Sequence, residues 1–507
     1  MLDIKVDLDT LKLDSQHSNL MISGQRLLNE ISSSLNRLHN ISSQNRAHCR
    51  AIRNWLGKYN PALNVSNINK VLGYLEAFYH LCELELWAEA GKVLLVDLNT
   101  KNKEELHNQL DTWGYYQEQI NLLNRLLGKL EPDFDSIILT TLGNSYFSLG
   151  KYKLSIEFHQ KRLMLSQAEQ DLEGCGTALG NLGIVYYMLG DYAKAIEHQT
   201  KSLEIARSLN NRKSEESAIG NLGVILDSLG DYERAIEFYK ERLKIAREME
   251  DLYGEGVALG NLGNTYYTLM DYNQAAQCYE QHLSISWKLG DIQGYSSALN
   301  NIGNVHYDTK EYDLAIQYYG EHLRYMQTIG DPQGESVALG NLGIAYRAIG
   351  EFNKSIEYQK SSLTIAQMIG EKQGISDSAS NLGNIYMDIE AYNEAIEFYQ
   401  KSLLIAQETG DNEQEANNLG NIGTALERLQ DYPGALKYLQ LSLNLFKEIG
   451  NTHAEVQNLY QLAKLYQKLG QDTQALLYCN RALSIATQLD IPLANKCLKM
   501  KEKIIKK

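Results

Sequence analysis

The sequence predicts an all-α solenoid, a row of helical hairpins stacked one on the next, and three observations carry that reading. A chain of 507 residues exceeds the size at which one compact core keeps growing, so it divides into domains or extends as an array. Only five prolines occur; the stretches between them are rich in Ala, Leu, Ile, Glu, Gln, Lys and Tyr, and no window alternates strictly as a strand would. Most telling is a segment that returns every forty residues: ALGNLGIVYYMLGDYAKAIE is followed by AIGNLGVILDSLGDYERAIE, ALGNLGNTYYTLMDYNQAAQ, ALNNIGNVHYDTKEYDLAIQ and ALGNLGIAYRAIGEFNKSIE.

The glycine of the LG pair marks the copies at Gly143, Gly183, Gly223, Gly263, Gly303, Gly343, Gly383 and Gly423, with Ala463 in the last, making nine. Within one copy Leu179, Leu182, Gly183, Tyr186 and Leu189 line one face of a first helix, here helix A. Gly190 then ends it, Asp191 caps the next helix, and Tyr192, Ala195, Ile196, Leu203 and Ile205 form the apolar surface of helix B. Gly183 and Ala195 are small because a larger side chain would hold the two helices apart. Pro132, Pro332, Pro433 and Pro492 fall at predicted helix starts, where proline is tolerated.

Outside the repeats the pattern weakens. LELWAEAGKVLL and LDTWGYYQEQINLLNRLL each echo helix B, so 69–134 is expected to hold degenerate hairpins. Residues 1–68 form a polar helical leader in which Met21, Leu28, Ile31, Leu35 and Leu38 follow an approximate heptad. That apolar stripe packs on the first hairpins or, alternatively, self-associates through residues 20–42. The expected division is thus a leader at 1–68, degenerate hairpins at 69–134, nine repeats at 135–490 and a C-terminal capping helix at 491–507.

These residues resemble the tetratricopeptide repeat, whose mark is LG followed by an aromatic residue on helix A and an Ala early in helix B. The resemblance covers about 135–490, and it implies a right-handed superhelix whose helices A line a concave groove. Where many members carry Trp early in helix A this chain has Leu179, Leu259 or Leu339, and helix B runs on without a terminal Pro, as in SLEIARSLNN. The long helix B and the GDxxGE junction at Gly330, Asp331, Gly334 and Glu335 look like the forty-residue subclass of Pins-type adaptors, kinesin light chains and bacterial signalling proteins. Residues 69–134 are similar to the helical segment that precedes such repeats in some STAND-type ATPases, yet no GxxxxGK[ST] is present. The family's carboxylate clamp for chaperone C-termini needs Lys or Arg where this chain has Thr140, Gly180, Gly220 and Gly260, which disfavours that ligand.

If helices A line the groove, the stripe Thr177, Asn181, Ile184 and Met188 faces it, since the core takes Leu179, Leu182 and Tyr186. The most regular groove residue is Asn, at Asn181, Asn221, Asn261, Asn301, Asn341, Asn381 and Asn421. Asn is a poor mid-helix residue, and its amide offers the donor and acceptor that a peptide backbone requires. The other reading is that each Asn ties helix A to the preceding helix. Asn144, Asn264, Asn304 and Asn384 add a partial second row, joined by Phe147, Tyr187, Tyr267 and Tyr307. Among charged groove residues Arg347, Arg428, Lys464 and Lys468 are candidate peptide contacts, and acidic side chains of the partner are expected beside Arg428, Lys464 and Lys468.

Composition narrows the function. A formal net charge of -15 argues against nucleic acid, which is held by clustered cations. No stretch of about 18 apolar residues suggests a membrane span, and the start MLDIKVDLDTLKLD lacks the apolar core of a signal peptide, so a cytoplasmic chain is expected. Cys49, Cys82, Cys175, Cys278, Cys479 and Cys497 show no metal spacing and read as buried thiols. His159, His198, His282 and His322 sit at scattered register on helix B, no nucleophile motif appears, and Glu215 with Glu216 reads as a solvated helix start. The expectation is a non-enzymatic scaffold without cofactor that binds a protein or peptide in the groove, with a peptide-sensing regulator, or the separate sensor arm of a STAND-type system, as the alternative.

Overall fold

The computed structural model describes residues 13–39, 42–62, 65–98 and 104–505. The first twelve residues, read above for a signal peptide, lie outside it, as does the side chain of Met21. The chain packs as two compact units, one up to Glu250 and one from Asp251. Among the described residues every regular element is a helix, and the extended backbone amounts to an isolated bridge between Asp97 and Glu105.

Unit 1 opens with Leu13–His39 and Ser43–Lys58, the second capped by Ser42, whose hydroxyl accepts from the Asn45 N–H at 3.0 Å. Leu72–Glu83, Trp87–Leu94, Leu106–Thr112 and Tyr116–Leu126 follow as shorter helices. Ile31 and Leu35 are 0% exposed and join Ile52, Phe78, Leu81 and Leu94 in one core. Leu28, Ile31, Leu35 and Leu38 of the leader's stripe are therefore occupied within their own unit, and a self-association would need these same side chains.

From Pro132 the helices pair regularly. Among the described residues nine hairpins follow: Pro132–Ser148 with Tyr152–Glu169, Leu172–Met188 with Tyr192–Ser208, and Arg212–Ser228 with Tyr232–Glu248 complete unit 1. Unit 2 holds Leu252–Thr268 with Tyr272–Leu289, Ile292–Asp308 with Tyr312–Ile329, Pro332–Ala348 with Phe352–Ile369, Lys372–Asp388 with Tyr392–Thr409, Asn412–Arg428 with Tyr432–Ile449, and Thr452–Lys468 with Asp472–Gln488. We number these repeats 1 to 9. Leu493–Ile505 closes unit 2, burying Cys497, Met500 and Ile504.

The local chemistry accounts for the period. Gly190 takes φ +74°, the left-handed turn that ends helix A, and Asp191 accepts from the Lys194 N–H to start helix B. At the junction between repeats 5 and 6, Gly330 adopts φ +71° and the Asp331 carboxylate accepts from the N–H groups of Gln333 and Gly334 at 3.0 and 3.1 Å. A Cβ on Gly334 would strike the side chains of Met326 and Asp331 as they stand, so a larger residue there requires Met326 to move. Glu335 then accepts from Gln327 at 2.9 Å, which explains the last letter of GDxxGE.

Gly183 and its equivalents sit where helix B presses closest. A Cβ on Gly223 would lie 2.6 Å from the Tyr239 ring, and Ala195, Ala235, Ala275 and Ala315 are all 0% exposed. A second device recurs twelve residues along: Tyr146 with Phe158, Tyr186 with His198, Tyr346 with Tyr358 and Tyr386 with Phe398 stack at 5.3 Å. One part of the sequence expectation fails here. Leu189 is 48% exposed, as are Leu229 and, at 46%, Leu269, because helix A ends one residue earlier and the turn lifts this side chain off the core.

Candidate functional site

Each helix A packs on its own helix B, and the helices A of repeats 2 and 3, like those of 6 and 7, also touch each other. Their outer stripes therefore lie side by side at these two places. In unit 1 a cleft of about 220 Å³ opens between repeats 2 and 3, lined by Thr177, Asn181 and Ile184 and by Ser217 and Asn221. In unit 2 a cleft of about 500 Å³ lies between repeats 6 and 7, lined by the same register, Val337, Asn341, Ile344, Asp377 and Asn381.

One register of helix B decides where the face is open. It holds Ser202 and Ser362 beside the two clefts, but Arg162, Arg242, His282 and His322 in repeats 1, 3, 4 and 5. Arg242 crosses the space above Gly220 to reach Glu216 at 2.7 Å. His282 fills it above Gly260, and the His322 ring meets the Ser296 hydroxyl at 2.7 Å. Ser402 and Ser442 are covered differently, by Asn418 and Asn458 of the following helix A, which donate to them at 2.8 and 3.0 Å. Sequence reasoning missed the clefts, although the column of Ser, Arg and His at forty-residue spacing was their visible sign.

The asparagines separate into classes. Asn181, Asn221, Asn261, Asn381 and Asn421 are half-buried and make no side-chain hydrogen bond to the described residues. Asn341 donates to Asn300 of the preceding repeat at 2.7 Å, and Asn301 reaches Asn264 at 3.4 Å, so these two tie helix A to its neighbour. The second row is internal bracing. Asn264, Asn304 and Asn384 accept from the hydroxyls of Tyr279, Tyr319 and Tyr399 at 2.8, 2.7 and 2.7 Å, which fixes their side chains against helix B. Asn144, facing His159 in place of a Tyr, is exposed.

The aromatic and charged candidates are mostly committed between repeats. Tyr187 meets Ser228 at 3.0 Å, Tyr267 donates to Asp308, Arg347 donates to Asp388 at 2.5 Å, and Lys468 donates to Glu427 at 2.5 Å, always forty-one residues apart along helices A. Tyr187, Tyr267 and Tyr307 also lean on Tyr192, Tyr272 and Tyr312 at 5.5 to 5.9 Å. The expected basic end is thus reduced: Lys468 is neutralised, Lys464 lies over the Tyr460 ring at 6.0 Å, and Arg428 is exposed without an ion pair to the described residues.

Two further expectations are corrected. Glu215 and Glu216 are 6% and 0% exposed, not solvated. Arg207 and Arg212 hold Glu215 at 3.0 and 2.7 Å, and Lys213 and Arg242 hold Glu216 at 2.9 and 2.7 Å, so the Glu215 carboxyl stays below its ordinary range despite burial. His282 and His322 share one register, forty residues apart, rather than falling at random. Burial holds His159 and His322 neutral, lowering each to about 4. All six cysteines are buried. Among the described residues no group of three or more His, Cys, Asp or Glu is placed to hold a metal ion, and no helix is long and apolar enough to cross a membrane.

Stacked hairpins whose helices A share one face, floored by helix B and opened at chosen repeats, define a solenoid of paired-helix units. The family model of the tetratricopeptide repeat matches residues 134–208, 174–248, 214–286, 295–368, 374–448 and 415–488, and the chain belongs to that family. No curated protein matches it. Among solved structures it is similar to a STAND protein with a tetratricopeptide repeat sensor, PH0952 from Pyrococcus horikoshii, at 14% identity and a TM-score of 0.51, over 92% of this chain and 66% of that one. It is also similar to BtubC from P. vanneervenii (22% identity, 43% of this chain and 91% of that chain, TM-score 0.40). A further likeness is to the apo quorum sensor NprR from B. thuringiensis (14% identity, 67% and 99%, TM-score 0.46).

Proposed function

We propose that the chain is a non-enzymatic scaffold that binds an extended segment of a partner polypeptide along the face of helices A. The observation that carries this is the pair of clefts, each bounded by register-matched asparagines, Asn181 with Asn221 and Asn341 with Asn381. Asparagine amides present donors and acceptors to a backbone, and the clefts accept side chains. Successive helices stand about 8–10 Å apart and an extended chain advances about 3.3 Å per residue, so the uncommitted Asn181 and Asn221 would meet ligand residues about three apart. Selection of a random heptapeptide library on the full chain tests the reading. Selected peptides are expected to lose about tenfold in affinity on the Asn181→Ala, Asn221→Ala double variant, from two hydrogen bonds of about 0.5–1.5 kcal/mol each. A library that yields no binder, or binders indifferent both to this variant and to Asn341→Ala, Asn381→Ala, removes the proposal.

A second reading, a peptide sensor, is favoured by the likeness to PH0952, whose repeats are named a sensor. It expects a bound peptide to change amide hydrogen exchange in repeats that the peptide does not touch, whereas a passive scaffold responds only at the contact.

A further inference from the structure

The cleft between repeats 6 and 7 carries negative charge that its lining does not neutralise. Its charged lining residues are Glu371 and Asp377, and among the described residues no Lys, Arg or His lines it with them. Glu371 commits both carboxylate oxygens to its own helix start, accepting from the N–H groups of Gln373 and Gly374. Asp377 accepts from Gln373 Nε2 at 3.1 Å through Oδ1, and its Oδ2 has no hydrogen-bond partner among the described residues. Lys372, next to Glu371 in sequence, reaches Glu408 at 3.3 Å and does not line the cleft. Asp377 is exposed, so a ligand reaches it. The walls of the cleft nevertheless desolvate its carboxyl and, with repulsion from Glu371 and Asp411, hold it above its ordinary range.

The hairpin itself does not need this carboxylate. The register of Asp377 is uncharged in the other eight copies, with Thr177, Ser217, Val337 and Asn417 among its occupants. Apolar surface flanks the charge: of the residues lining the cleft, Val337 is 48% and Ile369 39% exposed, and Ile344 is half-buried. A long cationic side chain matches both features, since its methylene stem covers apolar surface while its head meets the anion. An acidic side chain would add to the repulsion, and an aliphatic one would desolvate the carboxylates without compensation. A bare metal ion lacks ligands, because no group of three or more His, Cys, Asp or Glu is placed to hold one among the described residues. The cleft between repeats 2 and 3 differs in charge. Its one carboxylate, Glu173, is accompanied there by Lys213, whose ammonium pairs with Glu216 at 2.9 Å.

Resting on the reading of helices A as a peptide-binding face, we infer that the cleft between repeats 6 and 7 is a subsite for a cationic side chain, a Lys or Arg of the bound segment. The head group donates to Asp377 Oδ2, Glu371 adds attraction through its charge, and the stem lies on Val337 and Ile369.

The probe is the set of peptides selected from a random heptapeptide library on the full-length chain. Lys or Arg is expected to recur at one position, and replacing it by norleucine, which keeps a methylene stem without the charge, weakens binding about tenfold. Asp377→Asn should erase that preference at unchanged thermal stability, because an amide oxygen still accepts from Gln373 and repeat 8 carries Asn417 at the same register. Asp377→Lys should reverse it, so that a peptide with Glu at the selected position binds more tightly than its Lys or Arg parent. Peptides selected without a Lys or Arg preference, or with one that survives Asp377→Asn, overturn the subsite and leave the groove reading standing. A library that yields no binder overturns both.

Discussion

At the scale of single residues, the asparagine and the glycine of the repeated Asn-Leu-Gly, such as Asn261 and Gly263, do different work although they lie two positions apart. Gly263 is pressed against the Tyr279 ring, with no room for a Cβ, while the Asn261 side chain makes no hydrogen bond to the described residues. Gly263→Leu is therefore expected to destabilise by about 1–3 kcal/mol through overpacking, and Asn261→Ala by no more than about 0.5 kcal/mol. Asn264→Ala, which strips the Tyr279 hydroxyl of its acceptor, belongs between them at about 0.5–1.5 kcal/mol. Urea titrations of the three variants decide the order, and an Asn261 loss equal to that of Asn264 would assign both to bracing. The sequence pattern identified the glycines because their steric reason is the same in every copy. It could not sort the asparagines, since Asn261 and Asn301 are the same letter in the same register and only Asn301 meets a neighbour.

At the scale of the helix, the junctions show how one register serves several ends. Arg207 with Glu215, Gln327 with Glu335 and Gln407 with Glu415 close the turn from helix B to the next helix A with a polar pair eight residues apart. Trp287 with Tyr295 does so with aromatic rings at 5.4 Å. In repeat 3 the junction merges with the groove register, because Arg242 both fills the cleft and neutralises buried Glu216. Removing one partner of a buried pair leaves an uncompensated charge, so Arg242→Ala should cost about 3 kcal/mol even with Lys213 in place. Arg212→Ala, whose guanidinium is 44% exposed, should cost less than about 1 kcal/mol. Thermal melts of the two variants test the difference, and equal shifts would mean that Glu216 is solvated after all. The helices themselves were legible from period and caps, whereas the burial of Glu215 and Glu216 was not, because a helix start looks polar whether solvent or an arginine faces it.

At the scale of the whole molecule, hairpins that pack mainly on their immediate neighbours imply stability assembled from local terms. Gly183→Leu forces Gln199 aside within repeat 2, and its effect should fade within the adjoining hairpins. Amide hydrogen exchange is expected to rise in repeats 1 to 3 of unit 1 and to stay unchanged in repeats 6 to 9 of unit 2. A uniform rise across both units would show one cooperative fold instead. The sequence alone determined the helical hairpin, its forty-residue period, the close approach at Gly and Ala and the caps at Gly and Asp, because each arises between residues a few positions apart and is repeated copy after copy. Tertiary structure decided which polar side chains remain available: Arg347, Lys468, Tyr187 and Tyr267 are engaged forty-one residues away, Asn181 and Asn221 are not, and Ser202 leaves open a cleft that Arg242 closes. Those outcomes depend on what the next hairpin brings to within about 3 Å, and no spacing within one repeat encodes that.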